Sequence, residues 1–221
     1  MEYAWSFEAL APYTGLLWKG LWITIVFTVT TALAGLAIGL VAGVLRTNAP
    51  RWVNVPVVAY IEVFRCTPLL VQLVWMYYAL PVLIQVEMSP GMACFLTLSL
   101  YGGAFYAEIF RGGIEAVERG QWEAGRALGM RRGRIFRRLI LPQAVRVMIP
   151  SFINQTVLQL KNTSLVSTVA VGDLLYQGSV ITAAIYRPLE TYTVVAVVYF
   201  VVLFPLTLAA QRLEARMGAH R

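Results

Sequence analysis

The sequence is poor in charge. Only 13% of its 221 residues are Asp, Glu, Lys or Arg, against 59% hydrophobic, and the mean hydropathy is +0.68. Soluble domains carry about 25% charged residues, so that class is excluded and an integral membrane protein is indicated. There is one aspartate, Asp173, and one histidine, His220. An aspartate dyad and an H-E-x-x-H zinc site are therefore impossible, and no metal-ligating set is expected. No G-x-S-x-G elbow occurs, although a Ser-Lys pair made from Ser164 and Lys161 leaves an intramembrane enzyme formally open. The G-x-x-x-x-G-K-[ST] phosphate loop is also missing, so the chain carries no nucleotide-binding motif of its own. The two cysteines, Cys66 and Cys94, fall in apolar stretches and are read as small buried hydrophobes. The start of the chain is acidic and lacks the basic region of a secretory signal, so the first apolar run is expected to be retained.

What is present is a set of long charge-free runs: residues 20–45, 66–86, 88–107 and 191–211. Each reaches the roughly 20 helical residues that a bilayer core requires. A further apolar region, 147–175, is interrupted by Lys161 and Asp173. The expected fold is an all-α integral membrane protein with five transmembrane helices, the fourth irregular. No repeat or Pro-rich linker divides it, so residues 1–221 are read as one domain. Of the 18 basic residues, thirteen are Arg46 and Arg51 after span one, the eight arginines from Arg111 to Arg138, and the three that follow span five. The positive-inside rule then places the N-terminus outside and the C-terminus inside. Gly35, Gly39 and Gly43 form a small-residue stripe on span one, expected to let another helix approach closely.

The stretch GQWEAGRALGMRRGRIFRRLILPQAV, residues 120–145, sets six arginines against one glutamate in the predicted cytoplasmic loop. Nucleic-acid contact, attraction to anionic lipid headgroups and docking of a soluble partner all fit that charge, and charge alone does not separate them. Glu108, Arg111, Glu115, Arg119 and Glu123 recur at helical spacing with alternating sign, predicting one salt-bridged helix that continues past span three. In residues 122–130, Ala124, Gly125, Ala127 and Gly129 keep the surface low beside Trp122, Leu128 and Met130, a patch suited to a groove. Gly129, Gly133 and Leu141-Pro142 turn the chain back toward the membrane.

Polar groups at membrane depth cost about 2.5–3.5 kcal/mol when charged, so they pair or line a path. Glu62 and Arg65 form an i, i+3 pair before Thr67-Pro68, and Gln72 lies beyond them on the same side. In LQLKNTSLVST, Gln159, Lys161, Asn162, Thr163 and Ser164 interrupt span four near mid-depth, where a partly unwound helix can bind substrate. Polar helix-packing contacts are the competing explanation for that run.

The segment EAGRALGMRRGRIFRRLILP resembles the EAA loop of ABC-transporter permease subunits, E-A-A-x3-G-x9-I-x-L-P. Glu123, Ala124, Gly129, Leu141 and Pro142 match, while Gly125 and Leu139 replace the second Ala and the Ile. GLWITIVFTV, YIEVFRCTPLLVQL, YAEIFRGGIEAVERGQWEA and LKNTSLVS extend the likeness to the polar-amino-acid uptake permeases, a type I importer fold. That resemblance implies a coupling loop over about 119–142. Within it, residues 122–130 would form a short coupling helix, and Gln121, Trp122, Glu123, Ala124, Gly125, Leu128, Gly129 and Met130 would dock on the ATPase. It implies two ATPase subunits that bind ATP and Mg, a second permease (the same chain or a related one) and an extracytoplasmic amino-acid-binding protein, in a bacterial inner membrane. The chain itself would hold no cofactor and catalyse nothing. Its implied cargo is a polar amino acid, glutamate, glutamine or a basic one. Membrane lipid would contact the arginines, and no nucleic acid is implied. A membrane-anchored scaffold stands as the alternative from another class, and it leaves the polar centre of span four unexplained.

Overall fold

The computed structural model of the chain describes residues 3–218; His220 and Arg221 lie outside the described residues. Every regular element among them is helical. A 3-10 turn, Phe7–Tyr13, leads into α1, Thr14–Asn48, which is apolar all round and exposes Trp18, Trp22 and Leu33. Ala49 is extended because Pro50 follows it, and that ends α1. Helix α2, Arg51–Cys66, stops at an extended Thr67 before Pro68, and α3, Leu69–Ile84, leaves it at 110°. Ser89 accepts a hydrogen bond from Met92 N–H at 3.2 Å and caps α4, Pro90–Glu115, with proline at the first helical position. A short helix α5, Arg119–Ala127, precedes α6, Arg132–Val169, whose last turns, Thr163–Val169, are 3-10. After a 45° bend, Asp173 caps α7, Leu174–Ile185, by accepting from Tyr176 N–H at 2.9 Å. Helix α8, Pro188–Gly218, completes the chain.

Three helical stretches, 7–47, 90–115 and 188–213, are each long and apolar enough to cross a membrane. The bent pairs α2–α3 and α6–α7 raise the number to as many as five if each is a single span. Helix directions follow from contacts. Gly35 abuts Ser99 and Gly103, Gly39 abuts Gly103 and Tyr106, and Gly43 abuts Ala107 and Phe110, so α1 and α4 run parallel. The glycine stripe is thus a packing seam: a Cβ at Gly39 would stand 2.5 Å from Tyr106 Cβ and 2.9 Å from the Ala107 nitrogen. Met148 meets Gly113, Thr156 Oγ1 lies 3.1 Å from Tyr106 Oη, and Gln159 reaches Leu98, so α6 runs antiparallel to α4.

At one end of the bundle the buried Glu190 accepts hydrogen bonds from Tyr3 Oη, from Ser6 N–H at 3.0 Å and from Arg187 at 2.8 Å. Donation to Glu190 holds the Tyr3 hydroxyl above its ordinary pKa. The α5 segment lies at the opposite end, where α4 ends and α6 begins. Two π turns, Trp75–Ala79 and Phe136–Ile140, are each followed at once by Leu-Pro: Leu80-Pro81 and Leu141-Pro142. Proline lacks an N–H and crowds the carbonyl four residues earlier, and an extra residue in the preceding turn accommodates both effects. Cys94 is buried as expected, but Cys66 is exposed, its Sγ 3.7 Å from Glu62.

Candidate functional site

The segment between α4 and α6 is built as an elbow. Helix α5 ends in a Schellman turn: Met130 N–H bonds to Gly125 O at 3.1 Å and Gly129 N–H to Arg126 O at 2.9 Å. That turn puts Gly129 at φ +68°, a conformation in which a Cβ costs about 1–2 kcal/mol. The helix therefore occupies Arg119–Ala127, shifted toward the N-terminus from the expected 122–130. The ladder of alternating charge also stops earlier than expected. Helix α4 ends at Glu115, and Arg119 and Glu123 sit on a separate helix, because the chain turns at residues 116–118.

Helix α5 has two faces. Glu123, Ala124, Ala127 and the 78%-exposed Leu128 point outward, with Gly129 beside them. Trp122 stacks on Phe136 with ring centroids 6.4 Å apart, and Met130 packs into the core of Val117, Ile135, Ile140 and Met148. Gly125 is buried, and a Cβ on it would lie 2.8 Å from Ile135. Of the residues expected to dock a partner, Glu123, Ala124, Leu128 and Gly129 are therefore presented. Trp122, Gly125 and Met130 instead hold α5 onto the bundle, and Gln121 is half-buried. Arg131, Arg132, Arg134, Arg137 and Arg138 are exposed and form no ion pair among the described residues.

At the same end of the bundle Glu108 of α4 gathers three helices. It pairs with Arg46 of α1, with Arg111 at 2.9 Å and with Arg65 of α2 at 3.7 Å. Arg111 also reaches Glu115. The expected Glu62–Arg65 pair is present but long, at 3.8 Å, and Arg65 is shared with Glu108. In the sequence Arg46 marks only orientation, because its partner Glu108 lies 62 residues away and leaves no local signal.

Gln72 does not extend the Glu62 and Arg65 stripe. Its amide nitrogen donates at 2.9 Å to Phe64 O, the carbonyl that Pro68 leaves without a helical donor, and at 3.0 Å to Thr67 O at the break. It is a cap for the broken α2–α3 span. Gln159 is likewise turned inward: it is fully buried and donates to Thr31 Oγ1 at 3.0 Å and Leu98 O at 2.9 Å, joining α1, α4 and α6. This is the packing role that competed with the substrate path in the sequence.

The rest of the polar run remains helical. Thr163 Oγ1 donates to Leu160 O at 2.6 Å and Ser164 Oγ to Lys161 O at 2.8 Å, so these hydroxyls bond back within their own turn. The break comes later, at Ala170 with φ +60° and the residues before Asp173. Asn162 is half-buried, whereas Lys161 is exposed and forms no ion pair among the described residues. Lys161 and Ser164 line a cavity of about 410 Å3 with Tyr192 and Tyr199 of α8. Asp173, read in the sequence only as an interruption, also contacts Tyr199 Oη at 3.4 Å. No group of three metal-ligating side chains occurs among the described residues.

This geometry has counterparts among known proteins. The glutamine transport system permease protein of Escherichia coli (strain K12) is 38% identical over 218 residues, 98% of this chain and 99% of that protein. The arginine transport system permease protein of Bacillus subtilis (strain 168) is 32% identical over 218 residues, covering 97% and 98%. A crystal structure of an amino acid ABC transporter with histidines superposes with a TM-score of 0.91 at 32% identity, over 97% of this chain and all of that one. An inward-facing methionine ABC transporter shares the fold, with a TM-score of 0.76 at 24% identity. The family model described as the binding-protein-dependent transport system inner membrane component matches residues 35–219. With its exposed elbow on a helical bundle of that fold, the chain belongs to the binding-protein-dependent transport system inner membrane component family.

Proposed function

We propose that this chain is the translocating subunit of an ATP-driven importer for a polar amino acid, working by alternating access. It would cross a bacterial inner membrane as one domain of five spans, with α2–α3 and α6–α7 each bent within a single span, the N-terminus outside and the elbow in the cytoplasm. The single observation that carries the reading is α5, a nine-residue helix held to the bundle by one face while Glu123, Ala124, Ala127 and Leu128 stand free on the other. Small residues on a projecting helix admit a close-fitting partner, and the partner in this reading is an ATPase subunit. Two such subunits, holding ATP and Mg, would act on two permease chains. An extracytoplasmic binding protein would deliver cargo at the Glu190 end.

The relatives that transport glutamine and arginine, and the structural neighbour with histidines, support an amino-acid cargo. Lys161, unpaired and exposed near mid-depth, is the strongest of the proposed path residues, with Asn162, Thr163 and Ser164 beside it; Glu62 and Arg65 lie nearer the elbow. Exposed arginines from Arg131 to Arg138 would rest on anionic headgroups, each contributing about 1 kcal/mol.

The test is reconstitution of the chain with its ATPase and binding protein in liposomes. Amino-acid uptake and amino-acid-stimulated ATP hydrolysis are expected, and their absence overturns the reading. Glu123→Arg is expected to prevent recovery of the ATPase on pull-down while the chain still inserts. Normal recovery would remove α5 as the docking element.

A further inference from the structure

The first described residues, Tyr3 to Phe7, are tied across the end of the bundle opposite the elbow. Arg187 donates to Ala4 O at 3.0 Å, and Glu190 accepts from the Ser6 N–H and the Tyr3 hydroxyl. The main chain on both sides of Trp5 is therefore pinned to the start of α8. The rings are not. Tyr3 and Phe7 are roughly half exposed, and Trp5 is 56% exposed. They form a row: the Trp5 ring meets Tyr3 edge-on, with centroids 5.5 Å apart, and stacks on Phe7 at 5.6 Å. A segment held by its backbone while it presents three large rings is arranged to meet a surface outside the bundle.

The place of the row says which surface. Arg187 and Glu190 directly precede the charge-free run 191–211 of α8, so the strap lies at the edge of that apolar stretch. It also runs along the edge rather than away from it. Ser6 bonds to Glu190, and Leu17 shares a core with Val195, so eleven residues at the start of the chain are taken up alongside five of α8. The exposed face then continues down α1: Phe7, Ala11, Gly15, Trp18 and Trp22 recur at three- and four-residue steps and stand clear of the bundle. Residues 7–47 are one helical stretch apolar enough to cross a membrane, so the row is continuous with a face made for the bilayer. Trp and Tyr are favoured where hydrocarbon meets headgroups, because an apolar ring and a polar tip are both satisfied there. We propose that Tyr3, Trp5 and Phe7 are an interfacial anchor, resting in the headgroup layer of the adjoining leaflet and fastening that layer to α8 through Arg187 and Glu190. Pinning the backbone beforehand removes most of the ordering cost that a free terminus would bring to the membrane.

The test measures the depth of the rings with the full chain in liposomes. The lipid is plain phosphatidylcholine, the same lipid brominated on its acyl chains close to the headgroup, or the same lipid brominated near the chain ends. Trp5 emission is read as the difference between the unaltered chain and Trp5→Phe. Bromine close to the headgroup is expected to remove most of that difference, and bromine at the chain ends to remove clearly less. Phe7→Trp made in the Trp5→Phe chain moves the reporter to the other ring of the stack and should give the same depth, so the result does not hang on one substitution. The readout needs no transport and stands apart from the amino-acid reading. Equal emission in all the lipids overturns the anchor. So does an unquenched Trp5 whose emission shifts to the blue when the extracytoplasmic binding protein is added, which would make that protein the occupant. Quenching as strong from the chain ends as from the headgroup side overturns the interfacial position.

Discussion

Replacing Gly39 by alanine adds one methyl group at the closest approach of α1 to α4. The new Cβ would stand 2.5 Å from Tyr106 Cβ and 2.9 Å from the Ala107 nitrogen and the Gly103 oxygen, two of them backbone atoms that no rotamer change can move. Overpacking of this kind costs about 1–3 kcal/mol. Against it stands the higher helix propensity of alanine, about 1 kcal/mol, so the net loss is about 0–2 kcal/mol. Gly15 on the same helix provides the reference, because a Cβ there meets nothing within 4 Å. Comparing the two alanine variants isolates the steric cost, about 1–3 kcal/mol. At roughly 2–4 °C per kcal/mol for a chain of this size, Gly39→Ala should melt about 2–12 °C below Gly15→Ala. The assay is thermal unfolding of both variants in one detergent, followed by tryptophan fluorescence and circular dichroism. Gly35→Ala, with its nearest backbone atom at 3.1 Å, should fall between them. Gly39→Ala melting at or above Gly15→Ala would show that the seam is not the tight contact described.

Gln72→Leu strips the donor from Phe64 O and Thr67 O and should destabilise the chain by about 1–2 kcal/mol in the same assay. Loss of uptake at unchanged melting temperature would instead make Gln72 a substrate contact. Gln159→Leu should cost about 0.6–2 kcal/mol through its bonds to Thr31 and Leu98, and an unchanged melting temperature would refute the packing role. Glu190→Gln weakens the clamp on Tyr3, Ser6 and Arg187, so limited proteolysis at the N-terminus should run roughly tenfold faster, as follows from losing about 1.4 kcal/mol. Equal cleavage rates would mean that the terminus is held elsewhere.

The sequence made the long apolar helices legible because a charge-free run of bilayer length has few other uses. It was less informative about the region around Pro68. Counting charge-free residues started a span at Cys66, but the chain breaks at Thr67-Pro68, where α3 leaves the amphipathic α2 at 110°. The direction of a polar side chain was not legible either. Gln72 and Gln159 turn to carbonyls and a hydroxyl whose positions depend on a 110° bend and on three-helix packing. The break in span four was expected at its most polar residues. There, however, the hydroxyls satisfy their own turn, and the chain opens beyond them, where Asp173 can cap a new helix. On the elbow, composition identified a surface of small residues but not which way each faced. Gly125 is small because Ile135 fills its space, whereas Gly129 is small because of its left-handed φ.

Met148 crosses from α6 into the space that a Cβ on Gly113 would fill, and the same methionine belongs to the core that seats Trp122 and Met130. The elbow therefore has a fulcrum. A push on α5 is received first by α4 and α6, whose side chains make up that core, while α8 is reached only through its neighbours. Work done on the projecting helix therefore enters the bundle where α4 and α6 meet, through the one methionine that fills the space over Gly113.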